Sequence, residues 1–134
     1  MSLAQEQSKR PLRVLIVEDN ADTAKLLAML LRMHGFEAQT ASDGPAALRS
    51  AEDRWPDAVL LDIGLPGMNG YQVAELIQGR SANRCKPVLI AMSGHGECEE
   101  RYRGLAASID RHFIKPMDPL VLIESLQQCV TGRE

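Results

Sequence analysis

The chain has no apolar stretch near the ~20 residues that a membrane-spanning helix needs. Residues 1–10 are polar and lack the apolar core of a signal peptide. Cysteine is scarce. Cys85, Cys98 and Cys129 stand at spacings that fit neither a zinc pattern nor a redox CxxC. An odd number of thiols with no secretion signal predicts a reducing cytoplasm, with all three as packing or surface residues. An excess of positive charge is missing too. Fifteen Lys and Arg against eighteen Asp and Glu leave a net charge of −3. That excludes the broad basic footprint of a nucleic-acid binder, so neither direct nucleic-acid contact nor membrane contact is expected. The short basic run Lys9, Arg10 and Arg13 reads as a solvated tail. There is no internal repeat and no low-complexity linker.

What remains is ordinary in composition. A chain of 134 residues, 45% hydrophobic and 25% charged, is one globular domain able to bury its own core. Residues 1–11 read as a disordered lead-in, 12–130 as the domain and 131–134 as a tail. Strand patterns fall at Leu12–Val17, Glu37–Ala41, Ala58–Leu61, Val88–Met92 and His112–Ile114. The near-continuous apolar runs suit strands covered on both faces, and the more polar Glu37–Ala41 suits an edge. Helical patterns lie between them. Ala24, Leu27, Ala28 and Leu31 share one face of a helix over Ala21–His34, with Gly35 as its stop. Asp43-Gly44-Pro45 and Asp118-Pro119 each put an acidic cap beside a proline suited to the first turn. Gly70 opens a third helix, and Glu97–Ala107 forms a fourth. Alternating β and α units predict a parallel sheet with helices on both faces.

In such folds ligands bind at the carboxyl ends of the strands. Glu18 and Asp19 follow the first strand, Asp62 the third, Ser93 the fourth and Lys115 the fifth. Three carboxylates, a hydroxyl and an ammonium therefore share one sheet edge. Two unit charges ~4 Å apart repel by roughly 4 kcal/mol at an effective dielectric near 20, so three acids together should raise a pKa or bind a cation. Hard oxygen ligands in small number suit Mg²⁺. A carboxylate beside a metal is also a nucleophile toward phosphorus, and the Lys and Ser can stabilise phosphoryl oxygens. Taken singly, these residues have plainer uses: Asp19 or Asn20 can cap the first helix, and Trp55 can pack before the third strand.

Four motifs in order carry a family resemblance: LIVEDN (Leu15–Asn20), LLDIGLPGMNGY (Leu60–Tyr71), AMSG (Ala91–Gly94) and FIKP (Phe113–Pro116). Over about residues 12–130 the chain resembles the receiver domains of two-component response regulators. The resemblance implies a flavodoxin-like (βα)5 sandwich, its five-stranded parallel sheet ordered 2-1-3-4-5. It implies Asp62 as phosphoacceptor. Glu18, Asp19, Asp62 and the backbone carbonyl of Gly64 would hold Mg²⁺. Ser93 would be the phosphate-binding switch hydroxyl, Lys115 the partner of Asp62 or its phosphate, and His112 the switch ring. A cis bond between Lys115 and Pro116 is implied as well. The donor would be a sensor histidine kinase or a histidine phosphotransfer protein. A downstream protein target would read the face of the fourth helix, fifth strand and last helix. A phosphorylation-dependent homodimer fits the same family.

The chain departs from the pattern in places. His112 replaces the usual aromatic ring, and histidine changes charge near neutral pH, which would couple the switch to pH. Ala106-Ala107-Ser108 replaces a Gly-Ala type turn. Gly64 and His95 flank the route of water to the phosphate, so its lifetime is open. The expected protein is a phosphorylation switch with self-phosphorylation and self-dephosphorylation only, not an enzyme. The alternative is a pseudo-receiver, a phosphorylation-independent interaction module, and the complete set of acids, Ser93 and Lys115 weighs against it. A haloacid-dehalogenase-like phosphatase would want an acid where Gly64 stands. An FMN binder would want a phosphate loop where Glu18 and Asp19 stand.

Overall fold

Strands with apolar residues on both sides need two covering layers, and that need organises the molecule. The computed structural model describes residues 11–82, 84–94 and 109–131. In chain order the elements are β1 (Arg13–Val17), α1 (Ala21–Met33), β2 (Glu37–Ala41), α2 (Gly44–Asp53), β3 (Ala58–Asp62), α3 (Gly70–Gly79), β4 (Val88–Ser93), β5 (Arg111–Ile114) and α4 (Pro119–Thr131). The expected helix 97–107, the turn 106–108, His95 and Cys98 lie outside the described residues. The last helix includes Thr131, one residue past the expected domain end, a difference within the ordinary fraying of helix termini. Among the described residues no helix is long and apolar enough to cross a membrane.

All strands are parallel, in the order β2-β1-β3-β4-β5. Side chains alternate across the sheet and fill two separate cores. Ile16, Leu60 and Ile90 meet Leu27 and Leu31 of α1 and Leu122 and Leu126 of α4 on one face. Leu15, Val17, Val59, Leu61 and Leu89 meet Leu48 of α2 and Val73 and Ile77 of α3 on the other. A slip of one residue would exchange the two sets, so the packing fixes the register. That register decides the site. Val17 pairs with Leu61, Asp62 with Met92 and Ser93 with Ile114. Glu18, Asp62, Ser93 and Lys115 therefore leave four adjacent strands at one level.

The connections are set by local chemistry. Asn20, Asp43 and Asn69 cap α1, α2 and α3 by accepting from Thr23, Ala46 and Gln72 N–H at 3.0, 2.8 and 3.0 Å. Asp118 accepts from Leu120 N–H at 2.9 Å at the start of α4. Gly35, with φ of +90°, turns the chain out of α1. At the lower end of the sheet, Trp55 donates from Nε1 to Cys85 O at 2.9 Å, and Arg84 lies 4.4 Å from the centroid of its ring. At the outer side, β2 is an edge strand as its polar pattern predicts. Glu37 N–H bonds Leu12 O inward, which by alternation turns the Ala38 carbonyl outward. Arg32 Nη2 donates to that carbonyl at 2.8 Å.

Gly70 holds the loop after β3 against the sheet. Its N–H donates to Ile63 O at 3.1 Å. A Cβ there would lie 2.7 Å from Asp62 O and 2.9 Å from Ile63 Cα, and both are backbone atoms that cannot swing aside. Gly79, at the other end of the same helix, has nothing within 4 Å of such a Cβ. Thermal unfolding should separate the two. Gly70→Ala is expected to cost ~1–3 kcal/mol through overpacking, while Gly79→Ala gains up to ~1 kcal/mol of helix propensity. Equal effects would show that the close approach at Gly70 does not matter to stability.

Candidate functional site

The strand ends bring the sequence-predicted residues together. Glu18, Asp62 and Ser93 are 2%, 4% and 1% exposed, unusual burial for two acids and a hydroxyl. Glu18 is fixed by the sheet, since its N–H extends the ladder to Ala41 O at 3.0 Å. Its Oε2 accepts from Asn20 N–H at 3.1 Å. Asn20 is thus the cap of α1, and Asp19 stands exposed beside the two buried acids. Oxygen atoms of Glu18, Asp19 and Asp62 all lie within 4.8 Å of one another. Asp62 is the last residue of β3, and its Oδ1 accepts from Gly64 N–H at 3.0 Å.

Lys115 is aimed into this cluster by β5. Its backbone N–H donates to Ser93 O at 2.7 Å, and the next peptide bond, to Pro116, is cis as the resemblance implied. Its Nζ lies 3.2 Å from Glu18 Oε1 and 3.4 Å from Asp62 Oδ1. Among the described residues this one ammonium pairs with two of the three carboxylates. The imbalance shows in the titration of Glu18, whose pKa rises from 4.5 to about 7. Burial is the main cause, and the Asp62 carboxylate adds to it; the Asn20 N–H and the Lys115 charge oppose it only partly. For Lys115, burial pulls downward, but the charges of Asp62 and Glu18 outweigh it and raise its pKa. Buried, clustered, under-neutralised carboxylates open to solvent at Asp19 fit a hard divalent cation that keeps several waters.

A second link runs along β4 and β5. Ser93 Oγ and His112 Nε2 are 3.1 Å apart. The His112 ring is tilted 58° against that of Tyr71, with centroids 6.4 Å apart. Tyr71 is 1% exposed. Its place beside the His112 ring was not read from the sequence, although it follows directly on Gly70, whose close approach to β3 helps set it there. The bond of Lys115 to Glu18 was likewise missed, because spacing along a chain does not say which of two neighbouring acids an amine will reach.

Comparison with known proteins agrees with this fold. Residues 14–127 match the family model described as the response regulator receiver domain. The phosphate regulon transcriptional regulatory protein PhoB of Klebsiella pneumoniae is 34% identical over 115 residues, 86% of this chain and 50% of that protein. The transcriptional regulatory protein PrrA of Mycobacterium tuberculosis is 39% identical over 104 residues, 78% and 43% of the two. The chain spans about half the length of these curated relatives. A response regulator receiver domain (CheY-like) from Methylobacillus flagellatus superposes with a TM-score of 0.75 at 29% identity, over 88% of this chain and 98% of that one. A like domain from Methanospirillum hungatei gives a TM-score of 0.80 at 24% identity over 90% and 94%, a likeness of fold.

The raised pKa of Glu18 has a consequence for stability. Between about pH 4.5 and 7 the folded protein holds a proton on Glu18 that the unfolded chain has released. Stability of the metal-free protein should therefore fall as pH rises through that window, then level off above it. Urea unfolding in chelator at pH 5, 6, 7 and 8 is the measurement. Glu18→Gln should flatten the slope and leave the variant more stable than wild type at the upper end. An unchanged slope in the variant would assign the effect to other groups.

Proposed function

Because the chain belongs to the family of response regulator receiver domains, we propose that Asp62 accepts a phosphoryl group from a phosphohistidine and that the modification switches a partner-binding face. The observation that carries this reading is the meeting of Asp62, Glu18, Asp19, Ser93 and Lys115 at one sheet edge. An Asp62 carboxylate oxygen attacks phosphorus, the bond from phosphorus to the donor imidazole nitrogen breaks, and the imidazole leaves. Glu18, Asp19, Asp62 and the Gly64 carbonyl would hold Mg²⁺, which supplies charge for the phosphoryl oxygens. Lys115, within ion-pair reach of Asp62, offers an ammonium to the same oxygens. The Gly64 N–H keeps one Asp62 oxygen oriented.

Ser93 couples the chemistry to the surface. A hydroxyl has one proton to donate. When it is drawn to a phosphoryl oxygen, its bond to His112 is released or remade with His112 as donor. The exposed His112 ring then shifts against buried Tyr71, and the face around β5 and α4 presents differently. The donor is a sensor histidine kinase or a histidine phosphotransfer protein, and the reader is a downstream protein. The protein acts as a switch in the cytoplasm, with no catalytic turnover beyond its own phosphorylation and dephosphorylation.

The test is incubation with Mg²⁺ and acetyl phosphate, followed by intact-mass spectrometry. One added phosphoryl group is expected, absent in chelator and absent in Asp62→Asn. Ser93→Ala and Lys115→Ala should still fold but accept the group on the order of 100-fold more slowly, the typical loss for one group stabilising a charged transition state. If the wild type stays unmodified and beryllofluoride leaves its spectrum unchanged, the receiver chemistry is absent, and a phosphorylation-independent interaction module is the reading that stands.

A further inference from the structure

Ser93 has a single hydroxyl proton, and His112 stands where it can hold that proton back. Ala91 pairs with His112 and Ser93 with Ile114, so Ser93 and His112 lie diagonally on one face of neighbouring strands. Ser93 Oγ and His112 Nε2 are 3.1 Å apart. Two arrangements fit that distance. A neutral imidazole with its proton on Nδ1 leaves Nε2 as an acceptor, and the Ser93 hydroxyl donates to it. An imidazolium carries protons on both nitrogens, so Nε2 donates and Ser93 Oγ accepts. The hydroxyl proton is then free for another oxygen. Ser93 is buried, whereas His112 is exposed and can exchange protons with solvent.

We propose, on the reading of Asp62 as phosphoacceptor, that His112 is a positioning residue whose protonation releases the Ser93 proton to the phosphoryl oxygen, so that acid favours capture of the group. The ring gains one proton from solvent at Nε2, and Ser93 keeps its own proton and only turns it. Histidine is the side chain that ordinarily changes charge between about pH 5 and 8. Among the described residues the groups packed against the ring are Ser93 of β4 and Tyr71 of α3, a hydroxyl and a phenol, side-chain types that ordinarily stay neutral over that range. The charged groups nearby in sequence are engaged or turned away. Asp110 accepts from Leu89 N–H at 2.7 Å, Lys115 Nζ is held by Glu18 and Asp62, and Arg111 takes the opposite face of β5 by alternation. Only the neutral tautomer with a free Nε2 withholds the proton. The effect is therefore that of one hydrogen bond, about three- to tenfold in rate.

Initial rates of phosphoryl uptake from acetyl phosphate at saturating Mg²⁺, followed by intact-mass spectrometry from about pH 5.5 to about pH 8, test this on wild type and His112→Phe. Phenylalanine keeps a ring beside Tyr71 but neither donates nor accepts. Protonation of Glu18 and the reactivity of the donor also change with pH, but both chains share them and the ratio of their rates cancels them. The ratio of wild type to His112→Phe should rise about three- to tenfold from the alkaline to the acid end. In a Ser93→Ala background the same ratio should stay flat, because no hydroxyl proton remains to be released. Circular dichroism checks that each variant folds, and His112→Leu serves if His112→Phe does not. If Asp62 takes up the group but the ratio is flat or falls toward acid, the role of His112 is overturned and the phosphoacceptor reading stands. A rising ratio that survives Ser93→Ala overturns it as well, since the ring then acts by another route. No uptake by either chain at any pH, with no spectral response to beryllofluoride, sinks the phosphoacceptor reading and the role of His112 with it.

Discussion

An unbalanced charge held in place is the constraint from which the site follows. Glu18 and Asp62 are buried beside each other with Asp19 at hand, and Lys115 is the ammonium that reaches them. Left alone, such acids would move apart or take up protons. They cannot move apart, because each is tied to its strand: Glu18 by its ladder bond to Ala41, and Asp62 by its place at the end of a fully buried strand. The sheet in turn cannot slip, because Leu15 and Val17 fill one core while Val14 and Ile16 fill the other. Hydrophobic packing on two faces thus pays for an electrostatic tension on one edge.

That tension is transmitted by short contacts. Lys115 is both a member of the charged cluster and, through its N–H on Ser93 O, a continuation of the β4–β5 ladder. Ser93 ends β4 at the level of the cluster, and its hydroxyl reaches His112. Gly70 holds the turn after Asp62 close enough that Tyr71 packs near His112. Met68, on the same turn, packs against Gly44 at the start of α2, where a Cβ would meet its sulfur at 2.8 Å. The turn is therefore bound to the second core as well as to the sheet.

The fold was legible because its strands and caps speak locally. Val14–Val17, Ala58–Leu61 and Val88–Met92 are apolar without alternation, as only doubly covered strands are. Asp43 with Pro45 announces a helix start in its own chemistry, whereas the capping box of Asn69 with Gln72 was not read from the sequence. The strand order was not legible from periodicity. It came with the family resemblance, and the observed pairing agrees with it. The membership of the site was readable because strand ends in a parallel sheet converge. Its wiring was not. Whether Lys115 leans to Glu18 or Asp62, whether Asp19 or Asn20 caps α1, and where Tyr71 lies depend on distances of an ångström or two that no spacing in the chain encodes.

Arg32 bears on what this sheet can join. An open sheet normally ends in unpaired carbonyl and amide groups that can template a further strand from another chain. Along β2 the outward Ala38 carbonyl is already taken by a guanidinium, and an incoming strand would have to displace a charge-assisted bond to pair there. The polar alternation of that strand, Glu37 to Ala41, adds no apolar surface to compensate. Growth of the sheet through this side, one ordinary route to fibrous aggregation, is opposed at Ala38 by one side chain reaching over from the end of α1.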